Sequence, residues 1–139
     1  MVFFTVDAEK GDGVELAEEF KVPGYPTFVA VNSEAETIQR WAGYETADSF
    51  IETVARIVAD PTTIDEKVAR YESGPTVGDA VALGEYHATS GQWAEAVDYF
   101  EQALGFEDAE PTLAYDAFFV YSWGYSEEAF STEQLTAAA

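Results

Sequence analysis

The chain opens on an apolar run of β-branched and aromatic residues, 1–6, closed by the polar segment "DAEKGDG". That pattern predicts a buried strand followed by a turn. From Gly13 onward, Val14, Leu16, Ala17 and Phe20 recur at helical spacing with acids on the outward side. The predicted helix stops near Lys21 and Val22, because Pro23 disfavours helical geometry in the residue before it. The next segment, "PTFVAVNSEAETIQRWAGY", predicts two strands around a turn. Residues 28–31 are almost wholly apolar, "NSEA" has turn composition, and residues 37–42 alternate Ile38 and Arg40 with Gln39 and Trp41 before Gly43. Phe50, Ile51, Val54, Ile57 and Val58 then share one helix face, with Thr46 or Asp48 placed to cap it.

The composition changes at Asp60-Pro61-Thr62, from β-branched strands to helices rich in Ala, Glu and Tyr. The periodicity beyond predicts helices near 62–72, 76–90, 93–104, 111–122 and 126–137, with breaks at Gly74-Pro75, Gly91, 105–111 and Gly124. The fold class read from this pattern is α/β plus α, with a mixed unit over 1–60 and an antiparallel helical unit over 61–139.

Charge changes the picture most. Twenty-seven acidic residues against six basic ones give a formal net charge of −21. Such a field repels nucleic acid and anionic membrane, so neither is an expected partner. The acids are dispersed rather than gathered in a tail, a pattern expected either of a halophilic protein that works in a salty cytoplasm or of an acidic mesophilic one. No apolar run approaches the roughly 18 residues of a membrane span, and the first residues lack the basic and long apolar regions of a secretory signal. The expectation is a soluble chain, with the cytoplasm favoured. The absence of cysteine excludes disulfide staples, thiolate metal sites and dithiol chemistry within these residues.

Candidate chemistry is thin. His87 stands alone, and no Ser-His-Asp set, phosphate-cradling loop or basic stripe is present. Asp7, Glu9 and Asp12 lack the alternating acids, central glycine and distal glutamate of a calcium loop. No catalytic residue, metal ligand or cofactor is assigned.

"VDAEKGDGVELAEEFKV", "PGYPTFVAVN" and "WAGYETADSFI" together resemble, in order and spacing, the second half of a thioredoxin-like domain of the disulfide oxidoreductase or isomerase type. The resemblance implies a cis bond before Pro26 and an incomplete fold, lacking the first strand-helix-strand and its Cys-x-x-Cys pair. It also implies that Tyr25, Pro26 and Thr27 present backbone to an extended peptide at a sheet edge, by main-chain pairing. Thiol-disulfide exchange would then require a parent chain that supplies the cysteines. An unpaired edge also invites association, so a homodimer through the sheet edge is expected.

"ALGEYHATSGQWAEAVDYFEQAL" resembles a tetratricopeptide repeat. The resemblance sets Gly84 as the small residue of one helix, His87 at an aromatic position, Gly91 at the turn, and Ala96, Phe100 and Ala103 along the next. Beyond it, Tyr115, Phe118, Phe119, Tyr121, Trp123 and Tyr125 are denser than one small core needs. Trp93, Tyr121, Trp123 and Tyr125 are the candidate partner-binding residues of an aromatic patch. The functional expectation is a thioredoxin-like protein without redox cysteines that contributes peptide or partner binding. The alternative is a non-catalytic adaptor or assembly protein that uses its helices and an exposed sheet edge.

Self-repulsion at −21 should weaken the fold at low ionic strength, and salt should screen it. Thermal melts should therefore give a clearly higher Tm in molar KCl than in dilute buffer; a flat response would remove the halophilic reading.

Overall fold

The computed structural model describes residues 2–22, 24–44 and 46–138. In chain order its elements are α1 (Asp12–Glu19), β1 (Thr27–Val31), β2 (Thr37–Ala42), α2 (Ala47–Ala59), α3 (Ile64–Ser73), α4 (Val77–Thr89), α5 (Trp93–Leu104), α6 (Leu113–Ser126) and α7 (Thr132–Ala138).

β1 and β2 form a two-stranded antiparallel sheet, in register from Thr27 opposite Ala42 to Ala30 opposite Gln39, with an irregularity at Ala30/Val31. The turn between them is tied by Asn32, whose Oδ1 accepts from the backbone N–H of Glu34 and of Glu36, each at 2.9 Å. Phe28 and Trp41 stack across the strands at 5.1 Å, and Phe50 of α2 meets the two rings at 5.4 and 6.0 Å. This aromatic trio fixes α2 to one face of the sheet.

Threonines start three of the helices. Thr46 caps α2 by accepting from Ser49 N–H at 3.2 Å, and Thr76 caps α4 through Asp79 N–H at 3.2 Å. Thr63 and Glu66 close a reciprocal capping box on α3. α4 and α5 form a helix hairpin over Ser90, Gly91 and Gln92, and α6 packs against α5. Their shared core contains Ala80, Ala96, Val97, Phe100, Ala103, Leu113, Ala117 and Val120. The small residues let the axes approach. At Gly84 a methyl group would sit 2.9 Å from the Phe100 ring, so the hairpin closes only around a glycine.

The sheet and the helices meet at α3 and α4. Arg70 pairs with Asp60, just beyond α2, at 2.7 Å and also with Asp79 of α4. Asp79 is only 4% exposed, and Thr76 Oγ1 donates to its second oxygen at 3.1 Å. One turn before Arg70, the buried Lys67 ammonium donates to the carbonyls of Ile38 on β2, at 3.2 Å, and of Thr62. Gln39 of β2 donates to Glu85 of α4 at 2.6 Å.

The strand expected over residues 1–6 is the main correction. Residue 1 lies outside the described residues, and 2–6 form no strand. A strand needs a neighbour to take its backbone groups, and no described strand runs beside this one. Its apolar side chains stay out in solvent, Phe4 at 82% exposure. α1 ends at Glu19, with Lys21 at φ 48°, while Pro23 lies outside the described residues. The fourth and fifth predicted helices shift: α6 continues to Ser126, and α7 starts only at Thr132. Among the described residues no helix is long and apolar enough to cross a membrane. The accessible surface is 9061 Å², against roughly 7,100 Å² expected for a folded monomer of this mass.

Two outcomes follow for stability. Gly84→Ala should cost about 1–3 kcal/mol in urea denaturation, because the Phe100 ring must leave its place. The Asp60 carboxyl is held well below the usual carboxylate range, first by its hydrogen bond to Arg70. A depressed folded value contributes stability that is present above the unfolded pKa of about 3.9 and is lost as pH falls through the folded one. Asp60→Asn should therefore flatten the fall of Tm on going from about pH 5 to pH 3 relative to wild type; an unchanged slope would show that the pair contributes nothing.

Candidate peptide-binding site

The two edges of the sheet are unlike. In an antiparallel pair, backbone groups alternate between facing the partner strand and facing away. Gly43 N–H donates to Pro26 C=O at 3.0 Å, which sets the parity along the register. Phe28 and Ala30 pair inward, with Trp41 and Gln39, so Thr27 and Val29 turn their N–H and C=O groups outward from β1. On β2 the outward carbonyl of Ile38 is taken by Lys67. β1 has no such cover, because β2 is its only strand neighbour among the described residues.

A groove of about 1130 Å³ runs along this open edge. Residues 25–31 line it on the sheet side, and residues 2–6 line it as well, with Phe20, Phe50 and Val54 among the apolar groups at its floor. The only charged side chains lining it among the described residues are Asp7 and Glu9. The volume exceeds the roughly 300–1,000 Å³ of small-molecule sites.

The three residues expected to contact peptide stand at this edge. Tyr25 is 61% exposed, Pro26 and Thr27 are half-buried, and the Tyr25–Pro26 peptide bond is cis. Thr27 Oγ1 donates to Gly24 C=O at 2.7 Å, which closes the turn before the strand. Behind β1, Arg40 donates to the carbonyls of Phe20 and Lys21 at 2.5 and 2.8 Å. Its guanidinium thus takes the two carbonyls just past the end of α1 and ties that segment to the sheet. Burial pushes the Arg40 pKa below its ordinary value.

The four candidate aromatic residues divide. Trp93 and Tyr121 pack against the helical core. Tyr121 donates to Glu101 Oε1 at 2.6 Å, and desolvation with that carboxylate pushes its phenol up to about 12. Trp123 and Tyr125 are roughly half exposed, and Tyr115, Phe119 and Trp123 line one stripe of α6 at four-residue spacing. They are not brought near the β1 groove, whose lining contains none of them. His87 stacks on Tyr99 at 5.3 Å with Nδ1 3.0 Å from Gln92 Oε1, in a packing role. In the "DAEKGDG" loop, Asp7 accepts from Glu9 N–H and pairs with Lys10, both at 3.1 Å.

A smaller cavity of about 520 Å³ lies between Gln39, Arg56, Lys67, Arg70 and Asp79. Its cations are engaged within the protein: Arg56 with Thr53, Lys67 with two carbonyls, and Arg70 with two carboxylates. Sequence reasoning did not find this seam. The signal available was the concentration of four of the six basic residues between positions 40 and 70. No protein-family model matches the chain, and neither a curated protein nor a solved structure does.

Proposed function

We propose that this chain is a non-catalytic binding module that takes an extended segment of a partner protein as an added strand along the outer edge of β1. The observation that carries the reading is the pairing parity: Thr27 and Val29 direct backbone donors and acceptors into an apolar groove. Each backbone hydrogen bond made there contributes about 0.5–1.5 kcal/mol net, and alternate side chains of the guest enter the groove. Tyr25, Pro26 and Thr27 form the start of this wall, as the thioredoxin-like resemblance of residues 1–60 implies. In this reading the helical unit over 61–139, tetratricopeptide-like in its motif, braces the other edge of the sheet. The surface left uncovered, beyond what the mass predicts, is more than the roughly 800 Å² that one partner loses in a standard interface.

Val29→Pro tests the reading, because it deletes an outward N–H and leaves the β1–β2 ladder its bonds. Titration of a fluorescent peptide of alternating valine and threonine should give binding in the micromolar range, and the variant should weaken it about tenfold. Methylating alternate backbone nitrogens of the peptide should abolish binding to the wild type. Equal affinity for the plain and methylated peptides would sink strand addition, whatever the folding of the variant.

A further inference from the structure

Resting on that reading, we infer that the guest is a cationic strand, inserted between two walls: an apolar extended segment of five or six residues followed by lysine or arginine. The length comes from β1, whose five residues span roughly 17 Å at 3.3–3.4 Å each. Insertion, rather than addition to one edge alone, follows from the second wall. Residues 2–6 line the same groove, they are β-forming by composition, and among the described residues they make no backbone hydrogen bonds. A strand in the groove can pair with β1 on one side and with this run on the other. It would also cover part of the solvent-exposed apolar surface of Val2, Phe3 and Phe4.

The charge of the guest follows from the lining. Among the described residues Asp7 and Glu9 are its only charged groups, both acidic. Lys10 ties up one oxygen of Asp7, while the carboxylate of Glu9 has no partner among the described residues. Around them lies a chain of net charge −21. A lysine or arginine beside the apolar segment meets attraction here, and an acid meets repulsion. The same electrostatics argue against a second copy as the occupant. The matching segment of another copy, residues 2–6, is followed directly by Asp7 and Glu9 and would set acids against acids.

Two labelled peptides of about seven residues, each of alternating valine and threonine, one ending in two lysines and the other in two glutamates, separate the possibilities. By fluorescence anisotropy in dilute buffer the lysine peptide should bind roughly tenfold more tightly. The preference should shrink in molar KCl and in the exposed double variant D7N/E9Q. Equal binding of the two peptides would overturn the charge assignment and leave strand binding standing. Binding of neither would overturn strand binding itself. Light scattering on the chain alone should give the monomer mass in dilute buffer, and a dimer that the lysine peptide fails to dissociate would make the second copy the occupant and overturn this inference. Isotope-edited contacts between the lysine peptide and both residues 2–6 and Val29 should appear, and contacts to Val29 alone would reduce insertion to edge addition.

Discussion

The structure depends on what α3 holds with two side chains. Arg70 reaches Asp60 beyond the end of α2 and Asp79 at the start of α4, so three helices meet at one guanidinium. Lys67, one turn earlier, reaches β2 through the Ile38 carbonyl. The two cations do different work. Arg70 compensates a buried carboxylate, and removing it would leave Asp79 desolvated with only the Thr76 hydroxyl beside it. Lys67 is 5% exposed and its direct partners are carbonyls. Burial lowers its pKa, and the nearby Asp60 carboxylate partly opposes that.

This seam consumes most of the positive charge the chain has. Arg40 and Lys67 are buried between the sheet and the helices, Arg56 and Arg70 are exposed yet engaged with side chains of the chain itself, and Lys10 and Lys21 stand outside. The acids therefore dominate the surface. In water of low ionic strength that surface repels itself, whereas the contact of Arg70 with Asp79, whose carboxylate is only 4% exposed, is screened less by salt. Solution ions are left to screen most of the rest.

Much of the local structure was legible because it rests on local rules. The strand pair, the Thr46 cap and the helices at 93–104 and 77–89 follow from alternation, capping chemistry and helical spacing. The repeat resemblance sets Gly84 as the small residue of its helix, and the Phe100 ring lies against that position. The failures are equally physical. Residues 2–6 have strand composition, yet composition cannot supply the neighbour that a strand requires. The inward turn of Arg40 and Lys67 was hidden because polar residues in an amphipathic pattern are read as outward. Only the tertiary placement of α1 and β2 gives them buried acceptors. Of the candidate site, the residues at 25–27 were legible as a motif, but the groove and its acidic lining depend on segments that the sequence sets far apart.

The same inventory accounts for why one sheet edge is closed and the other open. Covering an edge requires donors and acceptors at the right height along the strand, and on β2 α3 supplies a donor to the Ile38 carbonyl through Lys67. Among the described residues nothing comparable lies along β1: residues 2–6 offer apolar side chains and a backbone without hydrogen bonds to those residues, and the charged groups lining the groove there are carboxylates. A carboxylate accepts hydrogen bonds but donates none once ionised, so it can satisfy outward N–H groups but not outward carbonyls. A paired strand satisfies both kinds in alternation. In the proposed reading an added backbone completes this edge, and its acidic surroundings favour a guest that brings positive charge with it.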